Sequence, residues 1–222
     1  MAVALDLVAS AAGTGGVGPL TYNSANTAVS ATLMVVDVIV GVPGTAVITG
    51  ITVGGIPMTF KGGVTYGGTS VRVEKWFLVS PPSGVQSIVI SMSGTIGGLN
   101  ITTSGALSFT GSDTSTPLGA FFSNSGSGTA TTVTVTDSAV GDMVVDAVAD
   151  GSGGEATTGP NTQRWLIDTD LNGAGNNGAG STSPGAGSVT PTWSIANDNW
   201  GVVAVNIKAA AAGGPPAGSW WW

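Results

Sequence analysis

The stretch Ile51-Thr52-Val53-Gly54-Gly55-Ile56-Pro57-Met58 decides the fold class of this chain. Two short apolar runs flank the Gly54-Gly55 pair, and glycine readily takes the positive φ angles that a two-residue β-hairpin turn needs. The flanking runs are therefore expected to pair as antiparallel strands. Pro57 has no backbone N–H to donate, so it should lie in an edge strand or at the start of its strand.

The same pattern recurs along the whole chain. Runs rich in Val, Ile, Thr and aromatic residues alternate with clusters of Gly, Pro, Asn and Ser, while helical periodicity is almost absent. We therefore predict an all-β protein, an antiparallel two-sheet β-sandwich of jelly-roll type with about twelve short strands. The predicted strands are 3–8, 33–40, 46–53, 56–60, 71–79, 85–92, 100–109, 131–136, 143–149, 163–167, 189–195 and 200–207.

Three of these runs are apolar on both faces, which is typical of central strands: 33–40, 143–149 and 200–207. Asp37 and Asp146 interrupt two of them, and a buried carboxylate normally needs a partner. The candidate partners are Lys75, Arg72 and Arg164, with an outward-facing position on the sheet as the alternative.

The composition excludes most familiar enzyme chemistry. The 222 residues include 37 Gly but no His and no Cys, so Ser-His-Asp and Cys-His nucleophiles, His/Cys zinc sites and disulfides are all impossible. A glycosidase needs only two carboxylates, but the chain has two glutamates, Glu74 and Glu155, and Glu155 lies in a Gly-rich segment that offers little rigidity. We expect a protein that is not an enzyme.

Charge and hydropathy exclude two classes of partner. The formal net charge of -7 is the wrong sign for neutralising phosphates, so nucleic-acid binding is not expected. No segment approaches the roughly 20 apolar residues of a membrane-spanning helix. No basic and apolar leader precedes the first strand, and we expect the mature chain to begin near Met1.

One segment has the oxygen spacing of a calcium loop. Asp168, Asp170 and Asn172 occupy positions 1, 3 and 5, with Gly173 at position 6. Position 12 is Ala179, so the bidentate carboxylate of such loops is missing. The segment is expected either to bind calcium through these three side chains or to form an Asx-rich turn, and the sequence indicates no other cofactor.

Tryptophan supplies two further candidate sites. Trp165 and Trp193 could stack on sugar rings if they are exposed, although such residues more often fill a core. Trp220, Trp221 and Trp222 end a tail, residues 209–222, that follows the sandwich domain of residues 1–208 and contains a Gly-Gly-Pro-Pro hinge. An aromatic tail is a solubility liability unless it docks, so we expect it to bind its own domain or a neighbouring subunit. Residues 150–160 and 172–188 are expected to be surface loops.

A series of turn and strand motifs follows one order along the chain: Ile51 to Thr59, Trp76-Phe77-Leu78, Pro81 to Gly84, Ser108 to Asp113, Thr116-Pro117, Met143 to Asp146, Gln163-Arg164-Trp165, Gly178 to Ser181 and Trp200 to Ile207. The order of these motifs resembles a group of phage and bacterial proteins of poorly defined function. The resemblance covers about residues 1–208, and its motifs are turns and strands. It implies a β-sandwich module of virion or cell-surface structures and brings no catalytic residues.

These features together favour a structural protein of a virion, a capsid decoration or tail component. Its expected partners are copies of itself and other structural subunits. The alternatives are a carbohydrate-binding module with glycan partners and a subunit of an extracellular or cell-surface filament.

Overall fold

The computed structural model describes residues 1–14, 19–24, 27–41, 46–66, 71–94, 101–151, 156–169 and 177–211. Within these ranges the chain forms fifteen strands and no helix, and every strand pair is antiparallel. The all-β prediction is confirmed. The strands are β1 (Ala4–Thr14), β2 (Leu20–Asn23), β3 (Leu33–Gly41), β4 (Val47–Val53), β5 (Ile56–Pro57), β6 (Thr59–Tyr66), β7 (Val71–Val79), β8 (Ser87–Ser93), β9 (Ile101–Thr110), β10 (Leu118–Thr132), β11 (Met143–Asp150), β12 (Thr157–Thr158), β13 (Thr162–Ile167), β14 (Asn177–Pro184) and β15 (Thr192–Ile207).

These strands form three sheets, where the sequence predicted two. The five-stranded sheet has the order β1-β9-β3-β7-β6, the six-stranded sheet β10-β15-β11-β14-β13 with β12 beside β15, and the four-stranded sheet β2-β8-β4-β5. The predicted jelly-roll arrangement and the count of about twelve strands are not confirmed. The physical reason for the extra layer is β3, which is apolar on both faces and needs cover on both sides.

The five-stranded sheet lies between the other two. Alternate residues of β3 face opposite sides: Leu33, Val35 and Ile39 enter a first core shared with the six-stranded sheet. Met34, Val36 and Val38 enter a second core shared with the four-stranded sheet. All nine residues of β3 are buried, which confirms its prediction as a central strand.

A third core covers the outer face of the six-stranded sheet. Val144 and Val148 of β11 point into it and pack with Trp193 and Ile195, which belong to the first half of β15. The second half of β15, which contains Val202 and lies between β10 and β11, is fully buried. The two predicted strands 189–195 and 200–207 thus merge into one long strand that contributes to both the sheet and its cover.

The β-hairpin predicted at Gly54-Gly55 is confirmed. Gly54 and Gly55 have φ angles of 57° and 82°, and Val53 pairs with Ile56 across the turn. Pro57 lies in β5, which is an edge strand of the four-stranded sheet, where its missing N–H leaves no ladder bond unmade.

Two strands lie mostly where no strand was predicted, since only residues 131–132 of β10 fall within the predicted strand 131–136. β10 has the sequence LGAFFSNSGSGTATT, and β14, NGAGSTSP, occupies part of a predicted loop. Seven of the eight residues of β14 are buried. β14 has one β-branched residue and no aromatic residue, and residues 123–128 in the middle of β10 are Ser, Asn and Gly. Their tertiary neighbours hold these segments extended against that weak local preference.

Candidate functional site

A buried ion pair lies in the first core. Lys75 on β7 and Asp37 on β3 face each other in the register of the five-stranded sheet, and Lys75 Nζ lies 2.5 Å from Asp37 Oδ1. Both side chains are completely buried. Burial raises the pKa of Asp37 above its usual range, against the opposing attraction of Lys75. The sequence prediction that a cation would partner Asp37 is confirmed.

A second charged cluster faces the opposite side of the same sheet. Glu74 is buried at 1% exposure, forms an ion pair with Arg72, and accepts a hydrogen bond of 2.9 Å from Trp76 Nε1. Arg72 is partly exposed. The carboxylate is therefore held between the second core and the surface by partners on its own strand.

Asp146 lies in the third core, and among the described residues no cation contacts it, although the charge of Lys75 acts on its pKa. Its two oxygens accept hydrogen bonds from Ser181 Oγ and from Trp193 Nε1, the latter at 2.5 Å, and Asn161 Nδ2 donates to the same Ser181 hydroxyl at 2.5 Å. Burial raises the pKa of Asp146 to about 6, although both hydrogen bonds lower it. Arg164, a candidate partner from the sequence, instead donates to Thr182 at 2.7 Å.

Trp165 fills the first core beside the ion pair. The indole lies between the two sheets, where a Cβ atom on either Gly105 of β9 or Gly180 of β14 would overlap it. Its exposure is 4%, and that of Trp193 is 1%. Glycan stacking at these two residues required exposed rings, and that condition is not met.

The predicted calcium loop lies mostly outside the described residues. Asp168 is exposed just after β13, whereas Asp170 and Asn172 fall in the range 170–176, which is not described. Among the described residues, no group of three or more Asp or Glu side chains is arranged to hold a metal ion. Calcium binding at these three residues stays a prediction.

Two edge strands present uncharged backbone. β10 spans 15 residues without a charged side chain, and among the described strands it pairs only with β15. From Phe121 to Gly128 its register runs without a bulge, and Ser123, Asn124 and Ser127 are exposed. β1 is an edge of the five-stranded sheet, and its residues 7–14 are also uncharged and paired without a register shift.

The two edges lie on opposite sides of the stacked sheets. β6 packs on β10 at one side, and β1 packs on β13 at the other. The one charged residue of β1, Asp6, is engaged internally, because its Oδ2 accepts hydrogen bonds from Ser108 Oγ at 2.6 Å and from the Ala28 N–H at 3.0 Å. Neither edge therefore shows the charges that commonly prevent edge-to-edge pairing.

The end of the described chain packs beside its beginning. Ala209 forms a bridge with Ser112, and the terminal amine of Met1 donates to the Ala210 carbonyl at 3.1 Å. Trp220, Trp221 and Trp222 lie outside the described residues. Their role in assembly stays a prediction.

Comparison with known proteins adds no relative. No family model matches the chain, and no curated protein or solved structure shows significant similarity to it. In the part of the chain that the structure describes, no helix is long and apolar enough to cross a membrane.

Proposed function

We propose that this chain is a non-enzymatic structural subunit of a virion, a capsid decoration or tail component, that self-assembles through its strand edges and its C-terminal tail. The observation that supports assembly most strongly is β10, a long, uncharged edge strand that pairs on one side among the strands that the structure describes. Such an edge is a ready template for another strand. The virion setting rests on the resemblance of the motif order to phage proteins.

The positions of the two edges suggest how copies would associate. β1 and β10 lie on opposite sides of the molecule, so β1 of one copy can approach β10 of the next without using the same surface twice. Contacts of this head-to-tail kind generate rings when the rotation closes and filaments when it does not. The proposed partners are therefore further copies of this chain and other structural subunits.

The placement of the charged groups agrees with a non-enzymatic role. Asp37, Lys75, Glu74 and Asp146 are all buried within the cores at 1% exposure or less, where they contact one another or neighbouring polar side chains. An enzyme would use such groups where a substrate can reach them. Here each of them is held by partners within its own sheet.

The test is the solution mass of the purified protein by light scattering. We expect an oligomer for the full chain and a smaller mass for a chain ending at Lys208, which lacks the tail. Ser127→Lys places a charge at the β10 edge and should also reduce the mass. Ser91→Lys is the matched control, because Ser91 is exposed on β8, an interior strand of the four-stranded sheet.

A monomeric full-length protein would overturn the assembly proposal. An oligomer that survives both changes would exclude the tail and the β10 edge as its contacts. Electron microscopy of the assembled protein then narrows the setting: rings or closed shells support a virion component, whereas open fibres fit either a tail component or an extracellular filament.

A further inference from the structure

The Lys75–Asp37 pair has features that a simple ion pair does not explain. Among the described residues, the Lys75 ammonium contacts one acceptor, Asp37 Oδ1, although it carries three protons. The second carboxyl oxygen, Asp37 Oδ2, is buried without a hydrogen-bond partner. Two charges therefore lie in an apolar core with most of their hydrogen-bonding capacity unused, which is a costly arrangement.

Aromatic rings enclose the pair on both sides along the sheet. Asp37 is paired with Gly105, over which Trp165 packs, and Lys75 is paired with Gly62. A Cβ atom on Gly62 would lie 2.7 Å from the ring of Phe121. Gly105 and Gly62 thus flank the ion pair across the neighbouring strands. Because neither has a side chain, the Trp165 and Phe121 rings approach the sheet closely and exclude water from the pair.

The described charged groups nearest in sequence and space lie on other faces. Glu74 and Arg72 point to the opposite side of β7, and Asp146 lies in the third core with Ser181 and Trp193. The first core around the pair contains mainly aliphatic and aromatic side chains, with the Thr103 hydroxyl beside Ile39 and Trp165. Among the described residues, the amine and the carboxyl group make their side-chain contact with each other, and both charges also act on the pKa of Asp146 without contacting it.

We propose that Lys75 and Asp37 become joined by an isopeptide bond within the folded protein. The ammonium first passes a proton to the carboxylate, which gives a neutral amine and a neutral carboxylic acid. Lys75 Nζ then attacks Asp37 Cγ, the C–OH bond breaks, and the hydroxyl leaves with an amine proton as one water molecule. The step needs no oxidant, reductant or external group.

The geometry brings the reacting atoms close enough. Since Nζ lies 2.5 Å from Oδ1 and a carbonyl C–O bond is about 1.2 Å long, Nζ is at most about 3.7 Å from Cγ. Reactive conformers of this kind have separations of about 3–3.5 Å. Burial raises the pKa of Asp37, which favours the protonated acid that loses water.

The product also resolves the unfavourable burial. An amide carries no charge and has one N–H and one C=O to satisfy, so two buried ions are removed. Trp165 Nε1, whose indole packs over the neighbouring Gly105, is itself buried without a partner and is a donor available to the new carbonyl oxygen.

The test is the intact mass of the denatured, purified full-length protein. An isopeptide bond makes the wild type lighter than its sequence by about 18 Da, the mass of one water. Lys75→Arg, which keeps a cation but cannot form this amide, should have its full sequence mass. Asp37→Ala removes the carboxyl group and should likewise have its full sequence mass.

Trypsin locates the bond. Acylated Lys75 resists cleavage, so the digest should contain residues 1–61 joined to residues 73–164, released by cleavage at Lys61, Arg72 and Arg164. Wild-type protein with its full sequence mass would overturn the proposal. Loss of water without the joined peptides would overturn it too, because dehydration at Asp150-Gly151 gives the same mass change. The measurement on the wild type does not depend on whether either variant folds.

Discussion

Replacing Asp146 with Asn should make the protein more stable at neutral pH and have less effect in acid. The buried carboxyl group accepts hydrogen bonds from Ser181 and Trp193 and has no cation in contact. An asparagine keeps the bond from Trp193 through its oxygen, and its amide donates to the Ser181 hydroxyl in place of accepting from it. The Ser181 O–H proton then loses its acceptor, a cost that does not change with pH. The substitution thus removes a buried charge with little change in shape.

The magnitude follows from the pKa. Burial raises the pKa of Asp146 from 3.8 to about 6. The folded protein holds the Asp146 proton more tightly than the unfolded chain does, so protonation of Asp146 adds to the free energy of unfolding. This contribution is fully present below the pKa of the unfolded chain and is lost as pH rises through the pKa of the folded protein. A shift of roughly two units, at about 1.36 kcal/mol per unit, corresponds to about 3 kcal/mol in total. Between about pH 4 and about pH 7, the free energy of unfolding of the wild type should fall by about 2 to 3 kcal/mol relative to Asp146→Asn.

Urea denaturation of both proteins at several pH values measures this difference directly. Asp113→Asn is the matched control with the opposite sign. Backbone N–H groups of Thr116 and Ser115 lower the pKa of Asp113, so its stabilisation is present above the unfolded pKa and is lost as pH falls. A wild-type and Asp146→Asn difference that does not change with pH would refute the argument, because it would mean that Asp146 titrates alike in the folded and unfolded protein.

Three further predictions concern packing and the buried pair. Gly62→Ala should lower the free energy of unfolding by about 1–3 kcal/mol, because the new Cβ overlaps the Phe121 ring in a full core. Gly50→Ala is the control and should change the free energy of unfolding little, because no atom lies within 4 Å of its Cβ. Equal effects of the two substitutions in thermal melts would contradict this. Lys75→Met should cost about 3–5 kcal/mol, because it removes the proposed cross-link and leaves a buried carboxyl group without its partner. Combining it with Asp37→Leu should recover only the part of that loss that comes from the unpaired carboxyl group, because the double variant still lacks the cross-link; a double variant as unstable as the single one in urea would contradict the reasoning.

Local patterns predicted the central strands and the hairpin well. β7 runs from Val71 to Val79 as predicted, and β3 extends its predicted range by one residue. These segments consist of β-branched and apolar residues, and Gly54-Gly55 needs only its own backbone freedom to turn. In such segments the local preference and the tertiary structure agree.

β10 and β14 could not be predicted in this way. Glycine and serine have a weak preference for strands, so both segments look like loops in the sequence. A Cβ on Gly180 would overlap the Trp165 indole from the neighbouring strand, and a Cβ on Gly178 would overlap Thr103 Oγ1 of the facing sheet. The sequence alone does not give the positions of these side chains, which become neighbours of β14 only after folding.

The candidate site divides in the same way. Asp37 and Asp146 were recognisable as charged residues inside apolar strands, and Lys75 was among three possible partners. The register between β3 and β7 selected Lys75, and the cover formed by β15 gave Asp146 the Trp193 indole in place of a cation. Burial of Trp165 and Trp193 was equally a matter of which sheets meet.

The amino-acid sequence by itself determined the all-β class, the central strands, the hairpin and the absence of His and Cys chemistry, because composition and short-range periodicity are enough for these. The tertiary structure alone decided the number of sheets, the partners of each buried carboxyl group and the two uncharged edges. Each of these depends on contacts between residues far apart in the chain, and side-chain size and charge at one position do not say which distant strand will face it.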